Sequence, residues 1–531
     1  MDTMQKNSGK TETRDRLDLL LIYPPWAVIR KRGILQNSLP ALGLLSIVGS
    51  CLAKGYAAEI LDIHAERLND QDVIQTLLEK QPRFVGISVL TNMVIPAHYI
   101  ARLCKQTIPD CRVIVGGVHA ETLPDQMLRN PAIDAVVRGD GEETMVEILD
   151  GVPFAAVLGL SYRERGNVVH NSPRPVKMDL DAYPMPAYHL VDFRRYFPAV
   201  GSYRRHPAIN MLMTRGCPGQ CTFCNSAFTK LRSHSAETIV QWIETLRYQY
   251  GIRQIQFYDD TFTVARKRVL RFCELLIRKR IDISWTAYIR GDCFSEDMAE
   301  AMKKSGCHQV IIGIESGDDR ILENIRKPIN KEKYRRAVQT AQRNGIEVRG
   351  SFIIGNVGET RDTMQSTLDF AKELDIDLFQ LSILTPYPGT QVFNFAVENG
   401  LLLHRNWDDY GQGSVVMRTP GLEAREIYEF ERYAFRSFYL KPKQIVRQLK
   451  RVTSYRHVRD LLLGLYAMVM GELIYKQPDW ECWSRHAEDD FLELDIPQPS
   501  NPRLTYKLRQ DETILTEAVS VHTQTAIDSR G

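Results

Sequence analysis

Three cysteines, Cys217, Cys221 and Cys224, stand in a C-x3-C-x2-C pattern inside the stretch MLMTRGCPGQCTFCN, directly after the apolar run Ala208 to Met213. Three thiolates on one short loop suit a metal centre. Structural zinc wants four protein ligands, and the nearest histidines, His206 and His234, lie outside the loop at spacings unlike a compact zinc knuckle. A 4Fe-4S cluster is held by thiolates, and three of them leave one iron open to a small molecule. The loop therefore favours an iron-sulfur cluster over zinc, with three unrelated core cysteines behind both.

Other groups with chemical potential follow at regular intervals. They are Tyr258, Asp259 and Asp260 in YDDTF, Arg290 in YIRGD, and Glu315 with Ser316 in GIESG. A carboxylate and a hydroxyl suit a ligand's hydroxyl or amino donors, and Arg290 suits a carboxylate. The bland reading of Asp259, Asp260 and Arg290 is that they are solvated rim residues. No catalytic side chain is singled out. What must position these groups is an alternation of strands and helices. Strands are expected at Ile209–Met213, Gln254–Tyr258, Ile283–Ala287, Gln309–Ile314, Glu347–Ile354 and Leu378–Leu384. Six βα units make a partial barrel of the TIM type, and barrel chemistry sits at the carboxyl ends of strands, where these residues fall.

Leu17 to Leu149 alternates in the same way, with strands expected at Leu19–Ile22, Glu59–Asp62, Phe84–Ser88, Val113–Val115 and Ala135–Val137. Ala41, Leu44, Leu45, Val48 and Leu52 carry helical periodicity, and Gly55 stops that helix. Five strands with four crossovers give a flavodoxin-like or Rossmann-like doubly wound domain, whose ligands bind outside the carboxyl ends of the strands. The loops there are YPP (Tyr23 to Pro25), SVLT with Ser88 and Thr91, GGVH with Gly116 and Gly117, and RGDGEET with Gly139, and they carry the question of binding.

The expected plan is a flexible leader (1–16), an open-sheet domain (17–150), a proline-rich linker region (151–200), a barrel (201–406), a helical C-terminal region (407–498) and a disordered tail (499–531). The 68 basic and 65 acidic residues nearly cancel, so composition offers no argument for nucleic acid. Ten cysteines, scattered apart from the triplet, fit a reduced compartment. A cytoplasmic location is expected. The run Leu461–Tyr475 is too short to span a bilayer, and Arg447 to Arg459 supply a basic approach to it, so contact with the inner membrane face is weighed against a packed helix with a solvated face. Cys482 and His486 make too few ligands for a site.

The cysteine spacing, with Phe223 before the last cysteine, resembles the signature of the radical S-adenosylmethionine (SAM) superfamily. GNVGET resembles that family's turn beside the adenine, with Val357 in place of proline. The preceding loops, in their order, resemble the cobalamin-binding domain of one class of that superfamily. The likeness covers about Leu17 to Leu403. It implies a 4Fe-4S cluster on Cys217, Cys221 and Cys224, and SAM beside Tyr258, Asp260, Arg290, Glu315 and Ser316. Cobalamin is implied at the Ser88–Thr91 and Gly116–Gly117 loops and at Gly139, without a histidine ligand, since no Asp-x-His-x-x-Gly follows the first strand and His64 follows the second. The activity implied is C-methylation of an unactivated carbon in a lipid, tetrapyrrole, peptide or other natural product, with an external electron donor of flavodoxin or ferredoxin type and a slight lean to a hydrophobic substrate. The alternatives are a non-methylating oxidative cyclase and a cobalamin-binding sensor with zinc on the triplet. A tRNA methylthiotransferase is excluded by the absence of its second cysteine set.

Overall fold

The computed structural model describes residues 16–25, 39–196, 199, 201–403, 406–411, 413–452 and 454–470. The leader before Arg16, the end of the Leu461–Tyr475 run, the Cys482 and His486 pair and the tail from Pro499 lie outside the described residues. The chain builds two sheets.

The first sheet holds β1 (Leu19–Tyr23), β2 (Ala58–Asp62), β3 (Phe84–Ser88), β4 (Arg112–Gly116) and β5 (Ala135–Val137), all parallel, in the order β2-β1-β3-β4-β5. That is a doubly wound order, as expected, with its switch point between β1 and β3. Two apolar cores cover its faces. One, around Val85, Val113 and Ile100, belongs to this domain, while the other, around Leu19, Leu44 and Met145, runs on into the second half of the chain. The sheet continues further than the sequence reading. Within the stretch read as linker, β6 (Leu160–Glu164) and β7 (Asn167–His170) form an antiparallel hairpin on β5. Its short alternation, bounded by the turn at Gly166, is too brief to stand out beside a proline-rich segment.

The second sheet starts at β8 (Ala208–Met211). A two-stranded ribbon, β9 (Thr214–Arg215) and β10 (Arg232–Ser233), brackets the cysteine loop. Then come β11 (Gln254–Phe257), β12 (Ser284–Ile289), β13 (Cys307–Glu315), β14 (Glu347–Ile354) and β15 (Leu378–Ile383), giving six parallel strands in the order β15-β14-β13-β12-β11-β8, as expected for the partial barrel. On the outer side Ile255, Trp285, Ile312, Phe352 and Ile383 share one apolar core with the helices.

The C-terminal region reaches the carboxyl ends of the last two barrel strands, where the Thr385 hydroxyl donates to the Gly411 carbonyl (3.2 Å) and the Thr419 hydroxyl to the Gly355 carbonyl (3.0 Å). Helix Ala424–Tyr439 closes the free edge of β15. The Tyr439 hydroxyl accepts from the Phe379 N–H (2.9 Å) and donates to the Phe379 carbonyl (2.8 Å). Trp407, Tyr410 and Val416 turn back and join the core of the first sheet. Among the described residues no helix is long and apolar enough to cross a membrane.

Candidate functional site

The cysteine loop leaves β9 at Gly216, whose φ of +88° and closeness to the Lys230 carbonyl (2.4 Å from an added Cβ) admit only glycine. Backbone hydrogen bonds from Phe228 to Gly219 and from Thr229 to Cys217 fold it back on itself. Cys217, Cys221 and Cys224 are all half-buried, and the Gly219 N–H donates to Cys217 Sγ at 3.4 Å. Among the described residues no three His, Cys, Asp or Glu side chains are grouped to hold a single metal ion. A multi-iron cluster takes one thiolate at each of several corners, which three cysteines on one loop can supply.

Asp259 anchors this loop. It is 1% exposed and is no solvated rim residue. Its carboxyl accepts from the Met213 N–H (3.2 Å), the Thr214 N–H (2.5 Å) and the Thr214 hydroxyl (2.6 Å), tying the end of β8 to the end of β11. Burial pushes its pKa up to about 7, while three donors favour the ionised form. The geometry, acceptor-only at both oxygens, describes a carboxylate. Its neighbour Asp260 is exposed and accepts from the Gly216 N–H at 3.2 Å.

The other barrel candidates surround the loop. Arg290 pairs with Asp292 through Nε (3.1 Å) and Nη2 (2.9 Å), leaving Nη1 toward the loop. That Nη1 and Cys217 Sγ both lie within 3.4 Å of a Cβ position on Gly219. Glu315 follows a register shift between β13 and β14, adopts φ +68°, and binds Lys327 Nζ at 2.6 Å. Lys327 was missed by sequence reading. Its only signal was a lysine eleven residues after Ser316, and a helix and turn intervene. Ser316 is fully buried and its hydroxyl is engaged within the protein, bonding Thr367 (3.1 Å) and accepting from the Asp318 N–H (3.1 Å). Tyr258 packs on Tyr288, with ring centres 5.4 Å apart.

At the carboxyl end of the first sheet, Gly117 has φ +101°, and a Cβ there would meet the Val89 carbonyl at 2.9 Å. Gly139, at φ +88°, has open space around it. Ser88 and Gly116 are half-buried beside them. Bare backbone at the carboxyl ends of β4 and β5 fits a large planar cofactor with an anionic tail. Thr91 turns inward to bond His119 Nδ1 (3.3 Å), and Gln126 bonds His119 Nε2 (3.0 Å). His119 in turn meets Trp407 edge-on at 4.9 Å, and burial lowers its pKa to about 4. His64 sits on the short helix Ile63–Glu66 after edge strand β2, on the far side of β1 and β3 from the glycine pair.

The two sheets meet through charge. Arg215, on β9, donates through Nη2 to Glu142 Oε1 (2.6 Å) and to Ser46 Oγ (3.1 Å), and Ser46 donates to the same carboxylate oxygen (2.6 Å). Arg215 Nη1 reaches Asp140 at 3.4 Å, and Arg232, on β10, also pairs with Asp140. Asp140 and Glu142 belong to the RGDGEET loop beside Gly139, so one ion network joins a crevice loop of the first sheet to the strands that bracket the cysteine loop. The TPYPGT loop after β15 bridges the same gap. The Pro388 carbonyl accepts from the Asn225 amide (3.4 Å) on one side, and on the other Gly389 packs on Thr122.

These two sites define a corrinoid-plus-cluster enzyme. Residues 33–149 match the B12 binding domain and residues 211–371 match the radical SAM superfamily. The chain is 38% identical over 461 residues to an uncharacterized methyltransferase of Pyrococcus horikoshii, covering 85% of this chain and 99% of that one. It is 30% identical over 489 residues to cytidylyl-2-hydroxyethylphosphonate methyltransferase of Streptomyces wedmorensis, covering 79% and 90%. Its fold is similar to that of the cobalamin-dependent SAM radical enzyme OxsB with aqua-cobalamin and SAM bound, at a TM-score of 0.66, 18% identity and coverage of 85% and 71%. The chain belongs to the cobalamin-dependent radical SAM methyltransferases. Its cofactors are a 4Fe-4S cluster, SAM and cobalamin.

Proposed function

We propose that Cys217, Cys221 and Cys224 hold the cluster, that Tyr258, Asp260, Arg290, Glu315 and Ser316 with Lys327 form the wall around SAM, and that Ser88, Thr91, Gly116, Gly117 and Gly139 frame cobalamin. The observation that carries this reading is the Arg215–Glu142 network, because it brings the cysteine loop against a crevice loop of the first sheet. When bound, the three cofactors supply hydrogen abstraction from an unactivated carbon and delivery of a methyl group to it.

The chain's own work is placement. Asp259 holds the strand end from which the cysteine loop springs. Arg290 Nη1 faces the loop, positioned by Asp292 to pair with a carboxylate. The Glu315 and Lys327 pair offers an acceptor and a donor at the barrel mouth, each already neutralised by the other, so a zwitterionic ligand binds there without stranding a charge. Ser316 contributes by fixing the turn after Glu315, since its hydroxyl is engaged by Thr367. Trp407 and Tyr410, inserted into the first sheet's core, keep water from the Thr91 side of the crevice.

An external electron donor of flavodoxin or ferredoxin type belongs to the same proposal. So does peripheral contact with a membrane through helix Tyr455–Met470, whose Tyr455, Leu462 and Leu465 are exposed beside Arg459. Removing that helix should then end sedimentation with anionic vesicles.

The test is reconstitution with iron, sulfide and hydroxocobalamin, with absorbance recorded beside a variant carrying Ala at all three cysteines. Loss of cluster absorbance with retained corrinoid bands supports the assignment. Copurification of zinc without iron or corrinoid overturns it. Methyl incorporation from labelled SAM then separates methylation from oxidative cyclisation.

A further inference from the structure

Helix Pro442–Lys450 is amphipathic, and it is seated with its polar side inward. Gln444 is 5% exposed and donates to the Ile376 carbonyl (3.0 Å). Arg447 donates through Nη1 to the Asp375 (3.0 Å) and Ile376 (2.8 Å) carbonyls, and Gln448 donates to the Asp377 carbonyl (2.9 Å). Arg451, just past the helix, pairs with Glu347 at 3.1 Å. Asp375 to Asp377 lead into β15 and Glu347 opens β14, so the helix lies across the amino ends of these two strands, at the barrel floor.

Its apolar side is left outside. Ile445, Val446 and Leu449 are 43%, 51% and 56% exposed. At about 100° per residue they fall in one arc opposite Gln444, Arg447, Gln448 and Arg451, with Lys441 on one edge and Lys450 on the other. Turning the helix to bury that arc would strip the carbonyls before β15 of their donors, so the exposure is built into the seating. Helix Tyr455–Met470 presents a similar stripe. Its Tyr455, Val458, Leu462 and Leu465 are each at least 40% exposed and stand at helical spacing on one side.

Charge indicates what covers these faces. From Lys441 to Met470 the chain carries seven lysines and arginines and one carboxylate, Asp460. Two copies meeting through such a face would set like charges against each other. An anionic bilayer surface meets both needs, with an apolar layer at shallow depth for the stripe and negative headgroups for the cations around it.

We propose that helices Pro442–Lys450 and Tyr455–Met470 dock together on an anionic lipid surface, and that the first of them seats the barrel with its floor to the bilayer and its mouth to water. This rests on the membrane contact put forward above and adds its orientation. The cysteine loop, Arg290 and Glu315 lie at the carboxyl ends of the strands, and the eight residues of β14 set those ends about 25 Å from the amino-end face. The methyl acceptor then reaches the mouth from the aqueous side and is not drawn sideways out of the bilayer.

The experiment mixes the full chain, reconstituted with cluster and cobalamin, with vesicles of phosphatidylcholine alone or of phosphatidylcholine with phosphatidylglycerol, and reads sedimentation and hydrogen exchange. Sedimentation with the anionic vesicles, reversed by salt, is expected, with slower exchange in residues 441–452 and 455–466 and none in the cysteine loop, 217–230. Val446→Ser combined with Leu449→Ser, both on the exposed side, should weaken vesicle binding about tenfold or more while cluster and corrinoid absorbance stay unchanged. If that variant sediments like the parent and protection is confined to 455–466, the inference falls while membrane contact through helix Tyr455–Met470 stands. Slower exchange in 217–230 as well puts the mouth against the bilayer and overturns the orientation. No sedimentation with either vesicle removes the membrane contact and the inference together, leaving the cofactor assignment untouched. Protection of 441–452 that grows with protein concentration in the absence of vesicles gives the face to a second copy and also overturns the inference.

Discussion

Replacing Glu142 by Gln tests the ion network between the two sheets most directly, because it changes one charge and almost no volume. Glu142 is 3% exposed, and Arg215 faces it at 2.6 Å with only a fifth of its side chain exposed. Breaking a buried pair from one side costs about 3–5 kcal/mol, since the remaining charge is left uncompensated. Arg215 retains Asp140 at 3.4 Å, and Arg232 also pairs with Asp140, so the lower end, about 3 kcal/mol, applies. Hydrogen exchange reads this locally, and about 3 kcal/mol corresponds to roughly hundredfold faster exchange where opening requires the contact to break. The expected acceleration falls in residues 139–149 and also in 214–216 and 232–234, far apart in sequence. Glu143→Gln is the control. Its partner Lys177 and Glu143 itself are about one-third exposed, so the loss is under about 1 kcal/mol. Acceleration confined to the first segment, or equal in both variants, would refute the network as the joint between the cofactor loops.

Asp259→Asn leaves the Met213 and Thr214 donors facing an amide that cannot accept at both positions; a cost of about 2–3 kcal/mol is expected, with less iron bound per chain on reconstitution. In Gly117→Ala the added methyl meets the Val89 carbonyl at a φ that disfavours side chains, so cobalamin retention after gel filtration should fall, whereas Gly139→Ala, with open space, should lose less. Asp62, buried and held up to about 6 chiefly by desolvation, binds its proton more tightly folded than unfolded. Stability from this group is therefore present at acid pH and declines as pH rises from about 4 through 6, by about 3 kcal/mol at most. Thermal unfolding of the cobalamin-free full chain should show this slope, and Asp62→Asn should flatten it.

Much of this chain was legible from pattern alone. Strand alternation such as EVRGSFII and the glycine-marked strand ends are local features, because a pleated strand exposes its two faces to different environments within a few residues. The C-x3-C-x2-C loop is local too, so the metal-site candidate, both sheets and their order of appearance were readable. The β6–β7 hairpin was not, since four- or five-residue strands carry little periodicity of their own and are stabilised by pairing with β5.

Sequence by itself determined the two fold halves and the three thiols, because each depends on residue types at short, fixed spacings. Tertiary structure alone decided that Arg215 meets Glu142, that Lys327 neutralises Glu315, that Asp259 is an anchor rather than a rim charge, and that Trp407 packs on His119. Those pairs are separated by 12 to nearly 290 residues. Their energies come from desolvation and from geometry that exists only once the sheets have docked, so no spacing rule along the chain encodes them.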